Sequence, residues 1–237
     1  MSTLGELLRE MPVDIGEHIS SEGVIPSAAE LRVAAAAAAS PMTTVRDEQI
    51  HMLIQQLFFQ PESAPVRNVG FTPAEDWPQG GRLCLEIGRV LAEESKYEVG
   101  LIDATADPTP LQEHLQVTTP TDAKVTWQVS QRLWLVPRLS WWPEAGFQPM
   151  TDQNLERLRE IMTEFDFAII CCAPISWLAA RVGQNCDGLV LVLTANRTRR
   201  LVAAKIKDRL DKIHVPLLGT VLADRRFPVP NGLYRSL

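Results

Sequence analysis

Short apolar runs alternate with stretches of helical periodicity from residue 66 to residue 222. Val66-Arg67-Asn68-Val69-Gly70-Phe71 leans apolar and predicts a first strand. Leu83, Ile87, Val90 and Leu91 then recur at helical spacing through Glu94, and Val99-Gly100-Leu101-Ile102 is a second strand ending at Asp103. Lys124–Val129 alternates like an exposed or edge strand. Leu133–Val136 reads as a buried one, and Ser140-Trp141-Trp142-Pro143 as an aromatic loop packing over the sheet end. Thr151 opens a helix over about Leu155–Glu164, with Leu155, Leu158, Ile161 and Met162 inward. Ala168–Cys172 and Leu189–Leu193 are the most apolar strands and belong at the centre of a sheet. Trp177–Val182 predicts a short helix. Arg197–Ile213 predicts an amphipathic one, with Leu201, Val202, Ala204, Ile206, Leu210 and Ile213 inward and a basic outer side. Val215–Leu222 is the last strand. Alternation of this kind specifies an α/β fold: a doubly wound, mostly parallel sheet flanked by helices on both faces.

Two ends frame this pattern. Asp47–Phe59 is a lead-in helix whose Ile50, Leu53, Ile54, Leu57 and Phe58 share a face, closed by Pro61–Pro65. Residues 1–44 read as an N-terminal extension, partly helical or flexible, with an alanine-rich stretch over Ala29–Ala39. The domain proper is expected over residues 45–237, with a short tail from Phe227.

The first strand–loop–helix unit is where nucleotide phosphates bind in such folds, because free N–H groups at a helix start attract anions. A phosphate-binding loop of the G-x-x-x-x-G-K-[ST] type needs a lysine for phosphate charge and a hydroxyl for magnesium. Here the turn-rich loop Thr72–Gly81 leads into Gly80-Gly81-Arg82, with neither lysine nor hydroxyl at the helix start. The frame of a nucleotide site is present and its chemistry is missing. Gly80, Gly81, Arg82 and the strand-end Asp103 are the candidate remnants of a phosphate site. Asp103 reads more naturally as a cap acceptor than as a metal ligand. No catalytic residue and no metal ligand set is assigned.

Composition narrows the field. A formal net charge of −6 argues against nucleic acid as a partner. No run reaches the roughly 18 apolar residues of a membrane span, and Met1–Glu6 lacks the start of a signal peptide, which points to the cytosol. Of the four cysteines, Cys84, Cys171, Cys172 and Cys186, three lie in apolar surroundings without zinc-like spacing, as buried reduced thiols do.

Four stretches in order carry a family resemblance: Val69–Glu75, Gly100–Ala104, Glu164–Ile170 and Leu218–Leu222. Together they resemble the cytoplasmic tyrosine-kinase domain of bacterial capsule and exopolysaccharide synthesis. These BY-kinases are deviant-Walker P-loop ATPases related to the MinD/ParA proteins. The likeness spans roughly Val45–Asp224 and implies a P-loop NTPase-like fold. It also implies where the chemistry has gone. The family's P-loop lysine and serine fall on Gly80 and Gly81, one of its two second-motif aspartates on Thr105, and its Walker B aspartate on Cys171. The adenine-reading asparagine falls near Ala223. The helix motif E-x-x-R-x-x-R of ring assembly becomes Glu48, His51 and Ile54, and the tyrosine-rich tail is reduced to Tyr234. Phosphoryl transfer depends on such cations and carboxylates.

The resemblance therefore implies a catalytically silent relative that binds no cofactor. It would act as an interaction or regulatory subunit in exopolysaccharide biosynthesis or chain-length control. Its expected partner is a membrane-embedded polysaccharide chain-length or transport protein, engaged through its cytosolic part. Its expected place is the cytoplasm, or the inner face of the membrane by recruitment, as a monomer or dimer. Two other readings stay open: an ATPase or tyrosine kinase using Mg-ATP at a rebuilt site around Gly80, Gly81, Arg82 and Asp103, and a MinD/ParA-like positioning protein.

Overall fold

A computed structural model describes residues 44–60, 65–94, 96–105, 111, 126–143 and 149–224. The extension ahead of residue 44, most of the 106–125 region and the tail beyond 224, Tyr234 included, lie outside the described residues.

The chain opens with helix α1 (Thr44–Phe58), then β1 (Asn68–Pro73), α2 (Gly80–Glu94), β2 (Val99–Ala104), β3 (Trp127–Ser130) and β4 (Leu133–Val136). A one-turn helix α3 (Arg138–Trp141) and α4 (Asp152–Met162) follow. The remainder is β5 (Phe167–Cys172), α5 (Trp177–Gly183), β6 (Gly188–Thr194), α6 (Arg200–Lys212) and β7 (Leu217–Ala223). The strands form one seven-stranded sheet in the order β3-β4-β2-β5-β1-β6-β7. The six core strands expected from the sequence are all parallel, and β3 is an antiparallel edge strand against β4.

Helices cover both faces. Ile50, Ile54, Leu57 and Phe58 of α1 and Leu83, Ile87, Val90 and Leu91 of α2 pack on the face that carries Val69, Leu101, Ile169 and Val190. The opposite face is covered by α4 and α5 through Leu155, Leu158, Leu178 and Val182, and by α6 through Ile206 and Leu210. β5 and β2 are buried along their whole length, as parallel strands between two helical layers must be.

Several boundaries differ from the sequence expectation. β1 runs two residues later than Val66–Phe71, because the amides of Arg67 and Asn68 both donate to Asp187 Oδ2, at 2.7 and 2.8 Å, and so cap the strand start. α4 begins at Asp152 and ends at Met162; a capping box between Thr151 and Asn154 fixes its start. The Ser140–Trp142 segment contributes to α3 rather than to a loop. The packing reading for its tryptophans holds, since Trp141 and Trp142 are both buried. α6 starts at Arg200, not Arg197, and Leu201 is 66% exposed instead of inward. Its buried stripe is centred on Ile206 and Leu210, and a residue five positions before Ile206 falls well off that stripe.

Candidate functional site

The crossovers diverge at β1, which sits between β5 and β6. The switch point at the strands' carboxyl ends is where such sheets bind ligands. Here the backbone leaving β1 is tied to both neighbours. Thr72 Oγ1 donates to the Ala173 carbonyl at 2.8 Å, Ile175 N donates to Pro73 O at 3.0 Å, and Ala74 N donates to Val192 O at 2.9 Å. The following loop leans towards the ends of β6 and β7. Trp77 Nε1 donates to Asp224 Oδ2 at 3.0 Å, and Glu75 pairs with Arg197 at 3.4 Å. Trp77 is half-buried and packs against the core below α1 and α2. The loop that would cradle phosphates is thus held down by an indole and an ion pair.

The sequence-predicted residues sit as follows. Gly80 and Gly81 are the first two residues of α2, and the Gly80 amide donates to Trp77 O at 3.1 Å. Arg82, one position on, pairs at 3.0 Å with Glu86 one turn later, and Glu86 is buried. Its guanidinium is therefore engaged along its own helix.

Asp103 is wholly buried. Its Oδ1 accepts from the amide and hydroxyl of Thr105 at 2.9 and 2.7 Å, and its Oδ2 accepts from the Leu111 amide at 2.9 Å. Arg138 Nη1 donates to the Thr105 carbonyl at 2.7 Å, and Trp141 Nε1 donates to the Asp103 carbonyl at 2.9 Å. Burial pushes the Asp103 carboxyl up from its ordinary value. The bonds from Leu111 and Thr105, and the Arg138 charge, pull the other way without cancelling it. The carboxylate acts as the acceptor at the strand end that its sequence position suggested.

Cys171 lies beside Asp103 in the β2–β5 register and is buried in the core below α1 and α2. Its neighbour there is Cys84 of α2. A hydrogen bond with Cys171, and then burial, hold the Cys84 thiol well above its ordinary value. On the other face burial raises Cys172 and pushes Cys186 up to about 12. All four cysteines are free thiols, and three are buried, as expected. Thiols raised in this way stay protonated and are poor nucleophiles and metal ligands.

The arrangement does not fit Mg-ATP. The helix start offers no side-chain cation or hydroxyl toward phosphate, a cysteine rather than a second carboxylate stands beside Asp103, and both Asp103 oxygens accept from protein donors. Among the described residues no group of three or more His, Cys, Asp or Glu side chains is placed to hold a metal. Sequence reasoning missed Trp77, Asp224 and Arg138 as members of this constellation, and had Thr105 only as the position of a lost aspartate. A tryptophan inside a turn-rich loop was the one local signal available.

No protein-family model matches the chain, and no curated protein matches it in sequence. Solved structures do match its fold. The kinase domain of the Escherichia coli tyrosine kinase ETK superimposes with a TM-score of 0.60 at 16% identity, covering 78% of this chain and 80% of that one. The chimerical protein CapA2B2 gives 0.58 at 16% identity, covering 80% and 89%. A ParA family ATPase from Chlorobium tepidum TLS gives 0.53 at 17% identity, covering 66% and 73%. The chain therefore has the fold of bacterial tyrosine-kinase domains and of ParA-type ATPases, the two groups its motifs resemble. No helix among the described residues is long and apolar enough to cross a membrane.

Proposed function

We propose that the chain is a catalytically silent protein built on a tyrosine-kinase fold, an interaction or regulatory subunit of exopolysaccharide biosynthesis or chain-length control. It docks from the cytoplasm on the cytosolic part of a membrane-embedded polysaccharide chain-length or transport protein. The observation that carries this reading is the use of Asp103: its two oxygens accept from Thr105 and Leu111. A carboxylate that serves the fold in this way is not offered to magnesium. Phosphoryl transfer relies almost wholly on fixed cations and metal against the phosphates, and Gly80 and Gly81 supply none.

The rival, a kinase or ATPase with a rebuilt site, rests on Arg82 taking the lysine's part, but Arg82 is paired with Glu86. Calorimetric titration with ATP and magnesium separates the two. No binding heat is expected up to millimolar nucleotide. A micromolar dissociation constant with hydrolysis, both lost in Arg82→Ala, would establish the rebuilt enzyme. A pulldown against membrane polysaccharide proteins then separates the subunit reading from a ParA-like positioning role.

A further inference from the structure

We infer that the edge of the molecule where α5 and α6 begin docks directly on an anionic phospholipid surface. β5 and β6 are parallel and α5 and α6 lie on the same sheet face, so both helices start at the strands' carboxyl ends. Trp177, in the first turn of α5, is 53% exposed, and Leu201, in the first turn of α6, is 66% exposed. Of the other large apolar side chains exposed among the described residues, Phe59 and Tyr97 lie edge-on to Phe167 at the opposite end of the sheet, Met52 lies on α1, and Leu222 lies near the carboxyl end of β7. Trp177 and Leu201 are the two of this set that stand at helix starts on the carboxyl-end edge.

Cations cluster beside Leu201 at the start of α6. Arg199, Arg200 and Lys205 are exposed and make no ion pair among the described residues, whereas Arg197 is matched by Glu75 and Lys207 by Asp211. Arg209 and Lys212 continue the basic side down the helix, with the acids Asp208 and Asp211 among them. Arg199 occupies the cap position of α6 with no side-chain capping bond, and no acid lies in the first turn. Arginines there oppose the helix dipole, so folding gives no reason for them.

The chemistry favours lipid over an acidic protein segment. A peptide segment engages apolar residues through grooves or pockets that take its own side chains. Trp177 and Leu201 instead project from the starts of two neighbouring helices. A fluid interface accepts projecting tryptophan and leucine beside arginine and lysine, the former in the acyl boundary and the latter against headgroup phosphates. With a net charge of −6, attraction to an anionic surface has to come from this local patch.

The experiment is co-sedimentation of the full chain with vesicles made of equal parts phosphatidylglycerol and phosphatidylcholine, against vesicles of phosphatidylcholine alone, at about 0.1 M salt. Binding to the anionic vesicles only is expected. The double variant Arg199→Glu, Arg200→Glu should lower the partition coefficient about 25-fold or more, at roughly fivefold per cation removed. Trp177→Ser should weaken binding while leaving its salt dependence in place, whereas the double variant should lessen that dependence. Acids at the start of α6 suit the helix dipole, so the double variant should melt no lower than the parent, which separates lost binding from lost folding. Equal binding to both vesicles, no binding, or an unchanged double variant would overturn the inference. So would retention on an immobilised acidic peptide without vesicle binding, which assigns the patch to a protein. The assay contains neither nucleotide nor partner protein, so its outcome is independent of the subunit reading above.

Discussion

Asp103 shows what a sequence position reveals at the residue scale and what it hides. That a carboxylate ends an apolar strand was legible, as was the missing lysine beside Gly80 and Gly81, because both are local patterns. The use of that carboxylate was not legible. Its partner Leu111 lies eight residues on, and Arg138, which ties down Thr105, lies 33 residues from it. Replacing Asp103 by Asn tests the assignment. An amide has one acceptor oxygen, while Thr105 and Leu111 present three donors shared over two oxygens. One donor would then face an NH₂ group, a loss on the order of 1–3 kcal/mol. The pH dependence has a defined sign. Burial raises the folded-state pKa of Asp103, so between its ordinary and raised values the folded state holds the proton more tightly than the unfolded chain. Its contribution to stability is greatest at low pH and is lost as pH rises through the raised value. Asparagine does not titrate. Urea unfolding should therefore show the parent's advantage over Asp103→Asn narrowing as pH rises above the ordinary aspartate value of 3.8. A gap that widened with pH would mean that the bonds outweigh the burial.

At the scale of elements, the apolar periodicities read correctly wherever one face dominates. α1 and α2 bury the residues their spacing selects, and α4 starts where Thr151 and Asn154 cap it. The same reading fails on α6. Its apolar residues spread around the helix, so Leu201 was counted as inward when only Ile206 and Leu210 are buried. Close approach was equally hidden. Glu164–Ile170 carries part of the family resemblance, yet the role of its first phenylalanine, Phe165, appears only in three dimensions. Phe165 lies over Gly100 of β2, and a Cβ on Gly100 would run into its ring. Gly100→Ala is expected to destabilise the protein by about 1–3 kcal/mol, the range for overpacking a well-filled core. Phe165→Leu in the same chain should recover part of that loss. Chemical denaturation of the two single variants and the double variant measures the coupling. Additive losses would show that Phe165 is not what limits position 100.

At the scale of the whole molecule, the alternation of strands and helices specified the parallel sheet, since a parallel crossover needs a helix on one face. The strand order and the folded-down loop over the switch point were beyond it, because Trp77 meets Asp224 across 147 residues of sequence. Assembly belongs to this scale too. The resemblance places Glu48, His51 and Ile54 of α1 where ring-forming relatives carry a glutamate and two arginines. Those arginines would present forked donors to a neighbour's carboxylates. In this chain Ile54 is 1% exposed in the core with Leu57 and Phe58, and His51 Nε2 lies 2.5 Å from Glu94 Oε1 of α2. Both side chains are directed to their own subunit, which leaves a ring contact through this helix without its charged fork. The chain is therefore expected to be a monomer or dimer, and His51→Ala should leave its mass unchanged while loosening the α1–α2 contact. Light scattering at micromolar concentration decides the point. An octamer-sized particle that persisted in His51→Ala would mean that a ring forms through contacts other than those of α1.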